Sequence, residues 1–548
     1  MSDGRDSGSE EASQEYLRPA PLVALVLVSA AWLAYIWATK TLFLRLMPDD
    51  AYYYLKTAVN IAAGYGPTFD LLNATNGFHP LWMALLVPVA SVCGDDMDLF
   101  TQVVLTGQIG LVILGTLILA RNGLFGRGML VWVAVAMLAS FYGTKVLVNG
   151  VEAAIEYLLL CAALTYWWRV TGPGEILHVR NAVVLGFLAG LVTLARLDAV
   201  VFSVVLLLMP LIWPQRPFQA TEMRERLTEC VIGLAAFGVV LIPYLAWNVV
   251  SFGHLMPVNV SIKAGPPFAF TPPGIAAAAV IFVCVLTFRF MGEQWVPERR
   301  RLFPLVVLVG LQGAILLAAK GMAIPPPWYF VPHLLLIMLV LSVFLQRVVL
   351  RVIPRKLPAL AAVGYTLLLV FSCVRATDSL GLSARTVRRD AGRWLSSNTS
   401  PDAIIAGWNA GICGAYSDRR FVNLDGLINS WEFKTSYRDT GRIAEFINQV
   451  QRVDYVADYV RYGDRGFYEY HNIRGVDFSD WYVIRAKWMH RQTSDLRRLV
   501  FLDVYADELH MVLSRRPPGE PVPRYAERLA RLSATQGRSA TVGATTEL

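Results

Sequence analysis

The chain has 548 residues, of which 55% are hydrophobic and only 16% are charged. A sequence this apolar excludes an ordinary soluble enzyme and predicts a polytopic membrane protein. Its net charge of +8 fits basic cytoplasmic loops rather than a nucleic-acid site, because no basic tract has interleaved aromatic residues. The six cysteines contain no CxxC spacing, so neither a zinc site nor a disulfide framework is expected.

Eleven apolar segments are predicted to cross the membrane after a cytoplasmic tail at residues 1–20. The first apolar run is too long for a signal peptide and follows no basic region, so we expect it to remain as a span. Basic loops recur on one side of this arrangement, which places the N-terminus inside and the C-terminus outside. The predicted spans of this membrane domain, residues 21–376, are 21–44, 98–120, 129–148, 153–169, 181–196, 199–213, 229–250, 274–291, 302–320, 329–346 and 357–375.

The first external loop, residues 45–97, carries two neighbouring carboxylates, Asp49 and Asp50, directly after the first span. The stretch that begins with them is amphipathic at helical spacing, which predicts a helix lying on the membrane surface. Its apolar face consists of Tyr52, Leu55, Val59 and Ala62. The apolar segment at 79–94 is too short for a span, and we expect a re-entrant or surface helix there.

A structural and a chemical interpretation compete for the aspartate pair. Asp49 follows Pro48 and is well placed to cap the amphipathic helix, where a carboxylate accepts backbone N–H bonds. Two carboxylates facing water beside a membrane exceed what a cap needs. A carboxylate held there can accept a proton from an attacking hydroxyl group.

Charged side chains recur in or beside the later spans, where they are costly unless they face a cavity or a partner. Arg196 and Asp198 interrupt one apolar run, and because residues two apart do not share a helix face, we expect a broken helix there. A structural ion pair is the alternative. Lys263 and Lys320 lie in external turns, although Lys320 also suits snorkelling to the interface. The polar candidates for substrate binding are His79, Glu152, Asp198, His254 and Tyr329.

Acids and bases on one membrane face suit glycosyl transfer from a lipid-linked sugar phosphate. Arg196, Lys263 and Lys320 are the candidates for binding the donor phosphate, and a carboxylate activates the acceptor hydroxyl. Phosphate is a good leaving group, so no general acid is required. Since nucleotide sugars are cytoplasmic and the acids are predicted to be external, we expect a polyprenyl-phosphate sugar as donor.

After residue 376 the composition shifts to short apolar stretches that alternate with turn-rich and helical segments. This pattern predicts a soluble extracytoplasmic α/β domain over residues 377–514. A Pro-rich stretch then predicts a linker and a mobile tail at 515–548. Asp425 is a candidate for binding the acceptor, with a plain Asp-Gly turn as the structural alternative.

The stretch DDAYYYLKTAVNIAAGYGPTFDLLNATNGFHPLW, residues 49–82, resembles the first external loop of the GT-C superfamily of membrane glycosyltransferases. The motifs NGVE at 149–152 and LARLDA at 194–199, and the segment GWNAGICGAYSDRRFVNLDGLINS at 407–430, are similar to the same superfamily. The likeness covers about residues 20–460. It is strongest towards mannosyltransferases that use dolichyl- or polyprenyl-phosphate mannose, and it extends to arabinosyltransferases.

The resemblance implies a fold of about eleven membrane helices and a transfer with inversion by direct displacement, with Asp49 as general base and Asp50 beside it. It also implies that Arg196 or Lys263 lies near the donor phosphate. The pair is Asp-Asp where protein mannosyltransferases commonly have Asp-Glu, so the acceptor stays open among glycan, lipid and protein. Some members use a divalent metal such as Mg²⁺ or Mn²⁺ and others use none; Asp49, Asp50 and Glu152 are the oxygen ligands available.

The expected location is the cell membrane, with the active site and the C-terminal domain outside. A transporter or flippase of a lipid-linked or anionic substrate is the alternative function, with Arg196 and Asp198 lining a pathway. Transporters often have paired halves and little mass outside the membrane, whereas this chain shows no repeat and a large external domain. A noncatalytic scaffold that binds without turnover is a further alternative.

Overall fold

The structure is a computed structural model that describes residues 20–38, 42–121, 127–171, 178–212, 220–263, 296–318, 326–345, 384–461, 472–473, 476–477, 481–492 and 505–515. Several predictions fall on other residues. Lys320, the spans at 274–291 and 357–375, nearly all of the N-terminal tail and nearly all of the C-terminal tail lie outside the described ranges.

The described part of the chain up to residue 345 is mostly helical. Its helices are α1 (Ala20–Ala38), α2 (Asp49–Ala62), α3 (Pro80–Cys93), α4 (Met97–Ala120), α5 (Arg127–Ala139), α6 (Phe141–Leu147), α7 (Ala153–Val170), α8 (Val179–Ala195), α9 (Val200–Ile212), α10 (Ala220–Phe252), α11 (Val258–Lys263), α12 (Val296–Ala318) and α13 (Val331–Phe344). Short 3₁₀ helices lie at Leu42–Arg45, Leu197–Ala199 and Pro327–Phe330.

Three of these helices are long and apolar enough to cross a membrane: α1, α4 and the stretch Met223–Phe252 of α10. Further apolar helices, among them α3 and α8, are shorter. Helix α3 has 14 residues, or about 21 Å at 1.5 Å per residue, which is too short for about 30 Å of hydrocarbon. The count of eleven spans stays a prediction.

From residue 384 onward, the described chain contains the helices α14 (Ala384–Asn398) and α15 (Ala410–Ser417), the single turn α16 (Ile443–Glu445) and a mixed sheet. Short π-helices lie at Phe433–Arg438 and Phe446–Val450. The sheet has the strand order β2-β1-β3-β7-β6, in which β1 pairs in parallel with β2 and β3, while β7 pairs antiparallel with β3 and β6. A separate small pair joins β4 and β5. The strands are β1 (Ile404–Gly407), β2 (Arg420–Asn423), β3 (Tyr455–Arg461), β4 (Asn472–Ile473), β5 (Val476–Asp477), β6 (Trp481–Gln492) and β7 (Tyr505–Arg515).

Helix α2 forms where the sequence predicted it, with Asp49 and Asp50 in its first turn, where carboxylates favour the positive end of the helix dipole. The expectation that it lies on the membrane surface stays a prediction, but part of its apolar face packs inside the protein. Tyr52 and Leu55 on its apolar face are completely buried, and the ring of Tyr52 lies 5.7 Å from that of Tyr416 in α15. The Tyr52 end of the apolar face therefore packs against the C-terminal domain.

The C-terminal domain also packs on the rest of the first loop. The hydroxyl group of Thr75 donates to the carbonyl of Asn429 at 2.9 Å, and Arg393 of α14 pairs with Asp98 at 2.8 Å. One hydrophobic core accordingly runs without a break from α1 into α15 and β1. The first loop is therefore held between the membrane helices and the C-terminal domain.

Gly77 marks the closest approach between the loop and this domain, because a Cβ atom there would lie only 2.0 Å from the carbonyl oxygen of Leu427. We predict that Gly77→Ala lowers the free energy of unfolding by about 1–3 kcal/mol, the usual cost of overpacking. Thermal unfolding in detergent measures the change. Gly107→Ala in α4 is the matched control, since nothing lies within 4 Å of its Cβ position. Equal unfolding temperatures for the two variants would contradict the close contact.

Candidate active site

A cavity of about 330 Å³ lies between α2, α11, the break between α8 and α9, and the 3₁₀ helix at Pro327–Phe330. Leu427 of the C-terminal domain completes its wall. The structure brings seven residues that the sequence singled out to this one cavity: Asp50, His79, Glu152, Arg196, Asp198, Lys263 and Tyr329.

Arg196 reaches the cavity because the helix breaks as predicted. Helix α8 ends at Ala195, Arg196 is extended with φ at −153°, and a 3₁₀ turn at Leu197–Ala199 leads into α9. The extended backbone also permits the local ion pair that was the alternative, since Arg196 Nε donates to Asp198 at 2.8 Å. The broken helix and the local ion pair are therefore both present.

The guanidinium of Arg196 is buried among carboxylates. It donates to Glu152 at 3.0 Å and lies 3.9 Å from Glu156, and its flat face covers the ring of Tyr329 at 4.2 Å from the centroid. The side chain is only 3% exposed. Three acids surround this cation and offset its charge, so Arg196 holds the cavity wall together.

Lys263 is the more accessible cation of the cavity. It ends α11, and its ammonium lies 3.5 Å from the Asp50 carboxylate, with side chains 27% and 31% exposed. Burial raises the pKa of Asp50 and outweighs the opposing effect of Lys263. A carboxyl group with a raised pKa and access to a cavity is suited to accepting a proton from a bound hydroxyl group.

Asp49 points away from the cavity. Its two carboxylate oxygens accept the backbone N–H groups of Gly411 and Ile412, at 3.0 and 2.9 Å. These are the second and third residues of α15. The predicted cap of α2 is wrong, because Asp49 lies in the first turn of α2 and the cap position is Pro48. Asp49 instead caps α15 of the C-terminal domain. Its assignment as the general base stays a prediction.

Of the remaining predicted substrate-binding residues, His79 lines the cavity, whereas His254 and Asp425 are not among its lining residues. The Nε2 atom of His79 lies 3.7 Å from Glu152, and burial lowers the pKa of this histidine. His254 stacks on Trp431 with ring centroids 3.7 Å apart. Asp425 accepts the hydroxyl of Tyr53 at 3.0 Å, so it contacts the cavity wall through that tyrosine.

Sequence reasoning missed two tyrosines that line the cavity. Tyr53 joins α2 to Asp425, and the hydroxyl of Tyr54 donates to Glu152 at 3.1 Å. Both belong to the run of three tyrosines after the aspartate pair. That run was the available signal, but it was assigned to an amphipathic surface.

The residues present do not fit a divalent metal ion. Asp50 pairs with Lys263, Glu152 pairs with Arg196, and both oxygens of Asp49 accept backbone N–H groups. Within the described ranges, no three His, Cys, Asp or Glu side chains are grouped so as to hold a metal. The carboxylates are engaged by cations and amides of the chain itself.

Residues 372–505 match a domain of unknown function (DUF8728). A sequence comparison with curated proteins found no match. Among solved structures, the chain is similar to ArnT from Cupriavidus metallidurans bound to undecaprenyl phosphate, with a TM-score of 0.52 and 13% identity over 90% of this chain and 98% of that chain. ArnT in the apo state gives a TM-score of 0.50 and 13% identity over 88% and 97%. The apo oligosaccharyltransferase of Archaeoglobus fulgidus gives 0.46 and 13% over 96% and 85%.

The chain has the GT-C fold. This confirms the resemblance found in the first external loop and in the later motifs, and it agrees with the long apolar helices of the described chain. The likeness in the GT-C fold assigns an architecture, while the activity has to be argued from the side chains of the cavity.

Asp425 gives this site a measurable pH dependence of stability. Burial raises the pKa of Asp425 to about 7, whereas an unfolded aspartate has a pKa of about 3.9. The folded protein thus holds a proton that the unfolded chain has lost, so the stabilising contribution is full below about pH 4 and disappears as the pH rises to about 7.

We predict that the unfolding temperature of the wild type falls between pH 4 and pH 7 relative to that of Asp425→Asn, and that the difference is constant above pH 8. Thermal unfolding in detergent across this range measures it. Parallel curves for the two proteins would show that Asp425 titrates normally.

Proposed function

We propose that the protein is a membrane glycosyltransferase that moves a sugar from a polyprenyl-phosphate donor to an acceptor hydroxyl group at the extracytoplasmic membrane face, with inversion. The observation that carries the proposal is the cavity in which the carboxylate of Asp50 and the ammonium of Lys263 lie 3.5 Å apart. A proton acceptor beside a phosphate-binding cation is what this transfer requires.

In the proposed reaction, the acceptor oxygen attacks the anomeric carbon while its proton passes to Asp50. The bond from that carbon to the phosphate oxygen breaks, and its electron pair leaves with the phosphate, whose charge Lys263 stabilises. In the free protein Lys263 pairs with Asp50. A donor phosphate competes for the ammonium, which leaves Asp50 a stronger base once the donor is bound.

Among the candidate bases, the geometry favours Asp50 over Asp49. Asp50 lines the cavity, while Asp49 is absent from its lining and accepts two backbone N–H groups. Among the candidate cations, it favours Lys263 over Arg196, whose guanidinium already has three carboxylate neighbours. A phosphate would have to displace one of those acids from a buried site.

The lipid nature of the donor is supported by the apolar helices that surround the cavity and by the ArnT structure, which is bound to undecaprenyl phosphate. Basic loops on the opposite side of the predicted topology support the extracytoplasmic face. The acceptor stays open among glycan, lipid and protein hydroxyl groups, and membrane lipids surround the helices.

The size of the cavity supports a single sugar as the transferred group. Its volume of about 330 Å³ is at the lower end of the roughly 300–1,000 Å³ of small-molecule sites. One sugar with its phosphate is a ligand of that size class.

We predict that Asp50→Asn lowers transfer about 10²- to 10⁴-fold, the usual contribution of a general base, while donor binding is retained. Radiolabelled polyprenyl-phosphate sugars and a membrane lipid extract, offered to the purified protein in detergent, measure both quantities. Asp402→Asn is the matched control, because that acid is 89% exposed on the C-terminal domain. Absence of transfer from every donor, with lipid binding intact, would favour the flippase or the scaffold.

We predict that Lys263→Ala weakens donor binding about 10- to 150-fold, the equivalent of about 1.5–3 kcal/mol for a hydrogen bond to a charged group. Lys263→Arg keeps the cation and should bind within a few-fold of the wild type. The dissociation constant of a polyprenyl phosphate, measured by quenching of intrinsic fluorescence, separates these outcomes. If the dissociation constant is unchanged in Lys263→Ala, Lys263 does not bind the donor phosphate.

We further predict that donors carrying one sugar are used and that donors carrying an oligosaccharide on the same polyprenyl phosphate are not. Competition between the two donors for the wild-type protein tests this. Efficient transfer of an oligosaccharide would show that the cavity does not restrict transfer to a single sugar. It would not contradict the assignment as a glycosyltransferase.

A further inference from the structure

We propose that Asp49 is a positioning residue that fixes the start of α2 against the C-terminal domain and thereby aims Asp50 into the cavity. The inference rests on the proposed function, in which Asp50 is the base. It assigns the first acid of the pair to an intramolecular contact and gives the C-terminal domain a part in orienting the reacting group.

The contact is an N-terminal helix cap supplied by a distant part of the chain. Asn409, which precedes α15, makes no capping bond with its side chain. Asp49 takes its place, because it accepts the N–H groups of Gly411 and Ile412. A carboxylate at this position satisfies donors that the helix cannot pair internally and interacts favourably with the helix dipole.

The backbones of the two helices also touch at this point. A Cβ atom on Gly411 would lie 2.1 Å from the carbonyl oxygen of Asp49. Glycine is therefore required for α15 to approach closely enough to be capped. Asp49 and Gly411 are thus joined by a hydrogen bond, and their backbones are packed so closely that α2 has little freedom to rotate.

A charge from a second helix of the domain strengthens the contact. The guanidinium of Arg388 in α14 lies 3.6 Å from the Oδ1 atom of Asp49. The Asp49 side chain is 12% exposed, so the interaction is poorly screened by solvent. Two helices of the C-terminal domain thus hold one carboxylate of the first loop.

Helix geometry connects this contact to the cavity. Successive residues of an α-helix point about 100° apart around its axis. When Asp49 is directed towards α15, Asp50 is directed away from it, and there it meets Lys263. A rotation of the first turn that freed Asp49 would also move Asp50 from its place beside the ammonium.

The test compares Asp49→Asn, Asp49→Ala, Gly411→Ala and Asp50→Asn. Asparagine keeps one of the two accepting oxygens of this cap and alanine keeps neither, and neither residue is a base. Positioning predicts a kcat within about tenfold of wild type for Asp49→Asn and losses above tenfold for Asp49→Ala and Gly411→Ala. The acidic limb of the pH profile should persist in Asp49→Asn and shift to lower pH, because Asp50 still titrates but loses the neighbouring charge of Asp49 that helps to raise its pKa.

Hydrogen exchange supplies a measurement that does not depend on activity. Both the Gly411 and the Ile412 amide should exchange faster in Asp49→Ala than in the wild type, whereas one of the two should stay protected in Asp49→Asn. Gly107→Ala, which creates no contact, is the control for the glycine substitution. Unchanged exchange in Asp49→Ala would overturn the cap as a determinant of this geometry.

The outcomes separate the inference from the function on which it rests. If Asp49→Asn is as inactive as Asp49→Ala while Gly411→Ala turns over normally, Asp49 is itself the base and the positioning role is wrong. If Asp50→Asn retains wild-type turnover, the assignment of the base to Asp50 has failed, whatever the exchange at Gly411 and Ile412. Full activity in Asp49→Ala overturns the positioning role alone.

Discussion

The buried charge of Arg196 is the constraint on which the cavity depends. An unpaired guanidinium away from water would cost several kcal/mol, and removing one partner of such a pair typically costs about 3–5 kcal/mol. Glu152, Glu156 and Asp198 surround this one cation, so none of the elements that carry them can move independently. The break after α8, the start of α7 and the turn that carries Tyr329 are held together by this charge, and the open side of the cavity is left for Asp50 and Lys263.

Two adjacent aspartates have different environments because a helix sends neighbouring side chains in different directions. Asp49 meets the amides of α15 and Asp50 meets Lys263. The first contact is made of fixed backbone donors and the second is made with a mobile side chain at the edge of a cavity. Identical chemistry in the sequence therefore gives one anchored carboxylate and one that can respond to a ligand.

Sequence patterns predicted what depends on local composition. Hydropathy indicated the membrane class, and the Arg196 to Asp198 interval predicted the break after α8. Lys263 was selected because a base on the same face as the acids can bind a phosphate. The partner of Asp49 and the burial of Tyr52 could not be predicted, since both depend on α15, more than 350 residues further along the chain. An amphipathic helix that faces lipid and one that faces another domain have the same pattern of residues.

The separation of 362 residues between Asp49 and Gly411 sets an order of events during synthesis. At about 5–20 residues per second, roughly 20–70 s pass after the first loop is made before its covering helix emerges from the ribosome. Helix α2 must spend that interval with its apolar tyrosines uncovered beside the membrane. Maturation of the cavity is thus tied to completion of the chain, and a protein interrupted before α15 would insert its first helices without assembling the site.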